Sequence, residues 1–191
     1  MEINSVNPPS NMGRRKLASP RTQLDRGNWI ESAIDVLAHD GVGGLRVEVL
    51  AKRCGVTKGS FYWHFKDRQD LLAAIFEHWK GGRIRDIEKT TSVTPGKERE
   101  QLHFAIEVYG ASRNRKGMSI ELAVRDWARH DPQAATVVEA VDLYRLECTR
   151  KLFVAAGMSD AEAKSRSLLL YACVFGLSLM HYTHFDDHLD D

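Results

Sequence analysis

The sequence predicts an all-α fold of about eight or nine helices, and three observations predict it. Apolar residues recur at spacings of three and four along most of the chain, as one face of a helix requires. Capping side chains stand before several of these stretches, and glycines follow them. Apolar and polar residues nowhere alternate with the period of two that a half-buried strand needs.

The elements follow in order. Residues 1–21 hold Pro8, Pro9, Pro20 and the run Arg14-Arg15-Lys16, the composition of a disordered basic arm. Trp29, Ala33, Val36 and Leu37 mark a first helix that Gly41 stops. Glu48 to Cys54 is a short helix ended by Gly55, and Thr57 to Phe65 is another. Asp67 caps a long helix carrying Leu71, Leu72, Ile75, Phe76 and Trp79. Within it, Gly81-Gly82 marks either a bend or the helix end, each glycine costing ~1 kcal/mol relative to alanine. Thr94-Pro95 and Asp131-Pro132 each set a capping side chain before a proline at a first helical position. Ser159 and Glu162 form a capping box after Gly157.

The 191 residues are 43% apolar, enough for a core in one or two small domains. No run of 18 apolar residues is present, and the first 25 residues lack the apolar segment of a secretory signal. The expectation is a cytoplasmic protein with no membrane partner, nucleoid-associated when it binds DNA. Cys54, Cys148 and Cys173 are widely spaced and read as reduced, mostly buried thiols. Charge is unevenly spread: residues 1–66 carry a net +4 and residues 67–191 a net −3. A basic first third suits a nucleic-acid-facing end joined to a domain with another task.

The most informative stretch is VEVLAKRCGVTKGSFYWHFK, from Val47 to Lys66. Two short helices meet at Gly55-Val56, with Ala51 small where they cross and Leu50, Cys54, Val56 and Phe61 as the apolar seam. Thr57 can cap the second helix. Its first turn, Lys58, Gly59 and Ser60, is the end that a recognition helix pushes into the major groove. Lysine donates to guanine O6/N7, serine reads several base edges, and glycine lets the backbone come close. Tyr62, His64 and Lys66 are donors within reach of flanking phosphates.

The segment GVTKGSFYWHFKDRQDLL resembles the signature of the TetR/AcrR family, and the order of elements resembles it along the whole chain. The resemblance implies a homodimeric DNA-binding regulator, a repressor released from an inverted-repeat operator by a small-molecule effector, with no cofactor and no catalytic residues. It implies a basic arm at 1–21, a helix-turn-helix domain at 22–66, and a helical effector-binding and dimerisation domain at 67–191. The DNA-binding residues it implies are Arg46, Thr57, Lys58, Gly59, Ser60, Tyr62, Trp63, His64 and Lys66. Two positions depart from the family pattern: Arg46 stands where Thr or Ser is common, and Glu48 where Arg or another donor is frequent. Glu48 is repelled by phosphate; it can accept from cytosine N4, bond Arg46 or face solvent.

Leu168 to Met180 is apolar almost all round, which calls for cover on every side. Val137, Val138, Val141, Tyr144, Cys148 and Leu152 form a stripe before it. The resemblance implies that the last two helices build a dimer interface, for which Val141, Tyr144, Leu169, Ala172, Cys173, Gly176 and Leu179 are the candidates. Trp79, Phe104, Tyr109, Met118, Leu122 and Trp127 are candidates to line an effector pocket, or equally to fill a core. His181, His184 and His188 share a helical spacing, but three ligands on one face rarely close a metal site, so no metal is expected. The competing readings are a small all-α enzyme or metalloprotein using those histidines or His103 and His130, and a helical adaptor that binds only protein. No paired carboxylates, nucleophile–base set or phosphate loop supports the former.

Overall fold

A computed structural model describes residues 24–110 and 115–179. Among them lie eight α-helices and no strand. The helices are α1 (Arg26–Asp40), α2 (Val47–Arg53), α3 (Lys58–Tyr62), α4 (Arg68–Thr91), α5 (Glu98–Gly110), α6 (Arg115–Ala128), α7 (Pro132–Ala155) and α8 (Asp160–Leu179), with a 3-10 turn at Val42–Gly44. The expected basic arm at 1–21 and His181, His184 and His188 lie outside the described residues. Among the described residues no three His, Cys, Asp or Glu side chains gather as metal ligands, and no helix is long and apolar enough to cross a membrane.

Caps explain most boundaries. The Asp25 carboxylate accepts from Asn28 N at 2.8 Å while the Asn28 side chain accepts from Asp25 N at 3.1 Å, which opens α1. Gly41 closes it with φ of 65°, where a Cβ is strained. Asp67 accepts from Asp70 N at 2.9 Å, and Asp131 from Gln133 N and Ala134 N at 2.9 and 3.1 Å. Glu162 accepts from Ser159 N at 3.2 Å, completing the box expected there.

Three expectations need correction. The Thr94-Pro95 pair starts no helix; it forms a turn through Gly96, and α5 begins at Glu98, whose carboxylate accepts from Gly96 N at 2.9 Å. The second helix of the motif has five residues instead of the nine read from Thr57 to Phe65. Of the cysteines, Cys54 and Cys148 are half-buried and Cys173 is exposed, so the trio is less buried than composition suggested. The glycine pair does not end α4, which runs from Arg68 to Thr91 without interruption.

The core is one contiguous apolar cluster. It joins Trp29, Phe61 and Phe65 near the N-terminus to Ile75, Trp79, Trp127 and Val141. α6 packs on α1, with Lys116 paired to Asp35 at 2.9 Å, and α4 packs on α1, α5 and α7. The short helices α2 and α3 therefore rest on a frame that continues into the rest of the chain.

Candidate nucleic-acid interface

The candidate interface is built on α2 and α3. Gly55, at φ of 67°, turns the chain sharply after α2, and Val56 N donates back to Ala51 O at 3.0 Å. Leu50, Ala51 and Phe61 are buried and hold the two helices together. Phe61 meets Trp29 edge-on at 5.5 Å and stacks on Phe65 at 5.1 Å. Phe65 is only 1% exposed, and the inward turn that buries it cuts α3 short: His64 N and Phe65 N both donate to Phe61 O.

Charged side chains fix the corners of this head. The Arg26 guanidinium lies 4.7 Å over the Phe65 ring and donates to Asp70 Oδ1 at 3.1 Å, while Asp70 Oδ2 accepts from Lys66 N at 3.0 Å. Arg68 donates to Leu45 O at 2.7 Å and Val42 O at 3.1 Å, tying the turn before α2 to the start of α4. Sequence reasoning missed Arg26, Arg68 and Asp70 as positioning residues. Their partners stand 23 to 44 residues away, beyond any local spacing rule.

On this frame, Arg46, Thr57, Lys58, Gly59, Tyr62, Trp63 and Lys66 are exposed, and Ser60 and His64 are half-buried. Trp63 is 87% exposed, far more than a tryptophan placed for packing. Thr57 precedes α3 in an extended conformation, but its hydroxyl makes no capping bond, contrary to expectation. Glu48 takes a partner that the sequence reading did not consider: its carboxylate accepts from Lys58 Nζ at 2.5 Å. That hydrogen bond, followed by a backbone bond and the Lys58 charge, holds the Glu48 carboxyl below the usual carboxylate range.

A family model described as bacterial regulatory proteins, tetR family, matches residues 30–75, which is α1 through the first third of α4. The tetracycline repressor class A from transposon 1721 of Escherichia coli is 41% identical over 56 residues, 29% of this chain and 26% of that protein. Residues 30–75 are therefore similar to the DNA-binding segment of tetR-family regulators. The matches to curated relatives thus span about a quarter of the relatives' lengths. Solved structures extend the likeness in fold. A transcriptional regulator from Rhodococcus sp. Rha1 superposes with a TM-score of 0.66 at 21% identity, covering 81% of each chain. SmeT, the repressor of the Stenotrophomonas maltophilia multidrug efflux pump SmeDEF, superposes with a TM-score of 0.60 at 21% identity, over 82% of this chain and 78% of that one. At these identities the structural likeness shows a shared all-helical fold across the rest of the chain.

The helical domain places the residues assigned to it from sequence in several environments. Val141 is 1% exposed and belongs to the subunit core, because the inward edge of the α7 stripe packs on α4 and α6. Tyr144 is half-exposed, and its hydroxyl donates to Glu88 on α4 at 2.9 Å, which pushes its pKa up to about 12. Leu169, Ala172, Cys173, Gly176 and Leu179 are all exposed on α8, together with Leu168. Of the six pocket candidates, the five with described side chains differ widely in burial. Trp79 and Trp127 are each 4% exposed, and Trp127 lies 4.0 Å from Phe76, ring centre to ring centre, so these rings fill space instead of lining it. Phe104 is 44% exposed, Met118 and Leu122 are half-buried, and the Tyr109 side chain lies outside what is described.

The domain instead contains a charged network invisible to the apolar pattern. Arg125 and Arg145 both donate to Glu121 Oε1, at 2.8 and 3.2 Å, and Arg125 forks onto Asp142 at 2.5 and 2.8 Å. Burial would lower the Arg125 pKa, but Asp142 and Glu121 outweigh it and hold the guanidinium charged. The Phe175 ring lies 4.1 Å from Arg125 and 5.5 Å from Arg145. Three polar atoms on α4 and α6, Trp79 Nε1, Arg83 Nε and Glu121 Oε2, are buried without a partner among the described residues.

Proposed function

We propose that the protein is a homodimeric transcriptional repressor that grips an inverted-repeat operator and leaves it when a small molecule binds the helical domain. The observation that carries the DNA-binding part is the α3 turn itself. Lys58 and Ser60 stand on a five-residue helix braced by Phe61, Arg26 and Arg68, with Tyr62, Trp63 and Lys66 exposed beside it. A short rigid helix with donors at its exposed start is what major-groove reading requires.

Dimerisation is supported by α8, where Leu168, Leu169 and Leu179 are each more than 60% exposed on one chain alone. Apolar surface of that kind calls for cover. The effector is supported by the orphaned buried atoms Trp79 Nε1, Arg83 Nε and Glu121 Oε2, which a bound molecule's polar groups can satisfy. Of the aromatic set named from sequence, Trp79 thus remains as a handle, through its indole N–H. A cytoplasmic location follows from the DNA partner.

The test is selection from random double-stranded DNA. The expected product is an inverted repeat with half-sites one helical turn apart, ~34–36 Å. A product made only of single, non-palindromic sites contradicts the dimer, and no enrichment at all contradicts DNA reading.

A further inference from the structure

We infer that Glu48 and Lys58 act together as one reader of a single G·C base pair in each half-site. The inference rests on the DNA-binding reading above and adds a specificity-determining residue that donor patterns overlook.

The two residues come from different helices, Glu48 from the first turn of α2 and Lys58 from the first position of α3. Their side chains meet at 2.5 Å while remaining 60% and 57% exposed. The contact therefore leaves both ends accessible to a third group. An ammonium and a carboxylate held side by side offer donors next to acceptors at a fixed separation. The helix frame that sets this separation is rigid, since Leu50 and Phe61 are fully buried behind it.

The major-groove edge of a G·C pair is the complement of that arrangement. Guanine presents O6 and N7 as acceptors, and cytosine presents the N4 amino donor beside them. Lys58 donates to the guanine and Glu48 accepts from the cytosine, while the ion pair between them persists. An A·T pair fits less well. A carboxylate that accepts from adenine N6 lies against the thymine O4 acceptor and the methyl group. A phosphate contact is excluded for Glu48, because like charges repel and the carboxylate has no proton to donate. The lowered Glu48 pKa agrees, since the carboxyl stays ionised throughout the physiological range.

The pair also explains how the head tolerates an acidic residue beside DNA. Lys58 neutralises Glu48 before binding, so the carboxylate approaches DNA as half of a neutral unit. On a wrong base pair it loses its second donor and sits near acceptors, which makes it a penalty against the wrong site.

The experiment is DNA selection with the full chain, run on wild type, Glu48→Ala, Lys58→Ala and the double variant Glu48→Ala with Lys58→Ala. Both side chains are exposed, so folding is not at stake, and a thermal melt of each variant checks this. In wild type one position of each half-site should be G·C, and that position alone should relax in both Glu48→Ala and Lys58→Ala. Affinity for the wild-type site should fall roughly tenfold to a hundredfold per pair removed. The double substitution should lose little more than either single one, because the two act as a unit. Glu48→Ala should also raise affinity for unrelated DNA, as a negative charge leaves the interface. An unchanged motif in Glu48→Ala, with affinity rising equally for all sequences, would overturn the inference and leave DNA binding intact. Relaxation of two different positions by the two substitutions, or an A·T pair at the shared position, would overturn it as well. A wild type that selects no motif would instead refute the DNA-binding reading on which it rests.

Discussion

Lys58 and Lys66 lie eight residues apart, and both are exposed, yet they differ in what holds them. Lys58 is bound to Glu48 at the start of α3, whereas the Lys66 backbone is anchored by Asp70 and leaves its side chain free to find a phosphate. Lys66→Ala should therefore weaken binding to all sequences alike and flatten the salt dependence by about one counterion per subunit. Tyr62→Phe should also weaken binding without changing the motif. Titration against operator and random DNA at several salt concentrations measures both effects; a change of sequence preference in either variant contradicts the assignment. A second residue-scale prediction concerns Asp131. Its carboxylate is held below the ordinary value of 3.8, first by the bond from Ala134 N against a smaller effect of burial, then by Trp127 Nε1 and Gln133 N. A lowered folded pKa means that the stabilisation is complete above the ordinary value and is lost as pH falls through the lowered one. Asp131→Ala should cost ~1 kcal/mol at neutral pH, and the difference from wild type should shrink on acidification below ~4. Melting curves across pH give the answer, and a gap that persisted in acid would argue that packing, and not the cap, is lost.

At the scale of elements, caps and apolar faces were legible because their causes are local. Asp67, Asp131 and Ser159 open their helices as read, since each cap is decided within three or four residues. Thr94-Pro95 misled because the same residue types favour a turn, and Gly96 at φ of 85° sends the chain through one. The length of α3 was not legible, since it depends on Phe65 reaching Trp29 and Phe61 in the core. The family signature proposes the exposed first turn of α3 as base-facing, but the Glu48–Lys58 contact crosses two helices and leaves no spacing signal. The charged network of α6 and α7 was hidden for the same reason, although Glu121–Arg125 and Asp142–Arg145 have helical pair spacing. That network yields the element-scale prediction. Arg145 is 6% exposed and Glu121 3%, so removing Arg145 leaves the buried Glu121 carboxylate with Arg125 as its one remaining cation among these residues. Arg145→Ala should destabilise by about 3–5 kcal/mol, while Glu121→Leu combined with Arg145→Met should cost much less. Denaturant unfolding of the three proteins decides this; equal losses in the single and double variants would show that packing against Phe175 and Tyr171 matters more than charge.

At the scale of the whole molecule, the question is how the effector site and the DNA-facing helices feel one another. The contiguous core from Trp29 to Val141 makes α4 a shared wall: its first turn is tied to α1 through Asp70, and its far end reaches α7 through Glu88. Both proposed sites therefore bear on one element, as coupling between them requires. The proposed dimer needs two heads at a fixed separation, so Leu169→Arg, which places a charge in the proposed dimer face, should reduce dimerisation and operator binding together. Sedimentation and operator titration test that, and undiminished dimers would place the interface elsewhere. Movement between the sites is then a property of α4. Gly81-Gly82 lies inside its unbroken length, next to the unpartnered Trp79 Nε1 and Arg83 Nε. An added Cβ at Gly82 meets nothing within 4 Å, and at Gly81 only the flexible tip of Arg85 at 3.3 Å. Packing thus leaves room for alanine at both positions, and helix propensity favours it by ~1 kcal/mol each. Glycines here weaken α4 at the level where a ligand would press on it, which is where a bend is useful. Gly81→Ala with Gly82→Ala should raise the melting temperature, leave operator affinity unchanged without ligand, and shrink the ligand's effect on that affinity, an effect of ~1–3 kcal/mol for a useful switch. A ligand found by thermal-shift screening, titrated into both proteins on operator DNA, provides the measurement. An equal response in the double variant would remove the bend from the mechanism and leave α4 acting as a rigid lever, with the α1–α6 contact through Asp35 and Lys116 as the second route to the head.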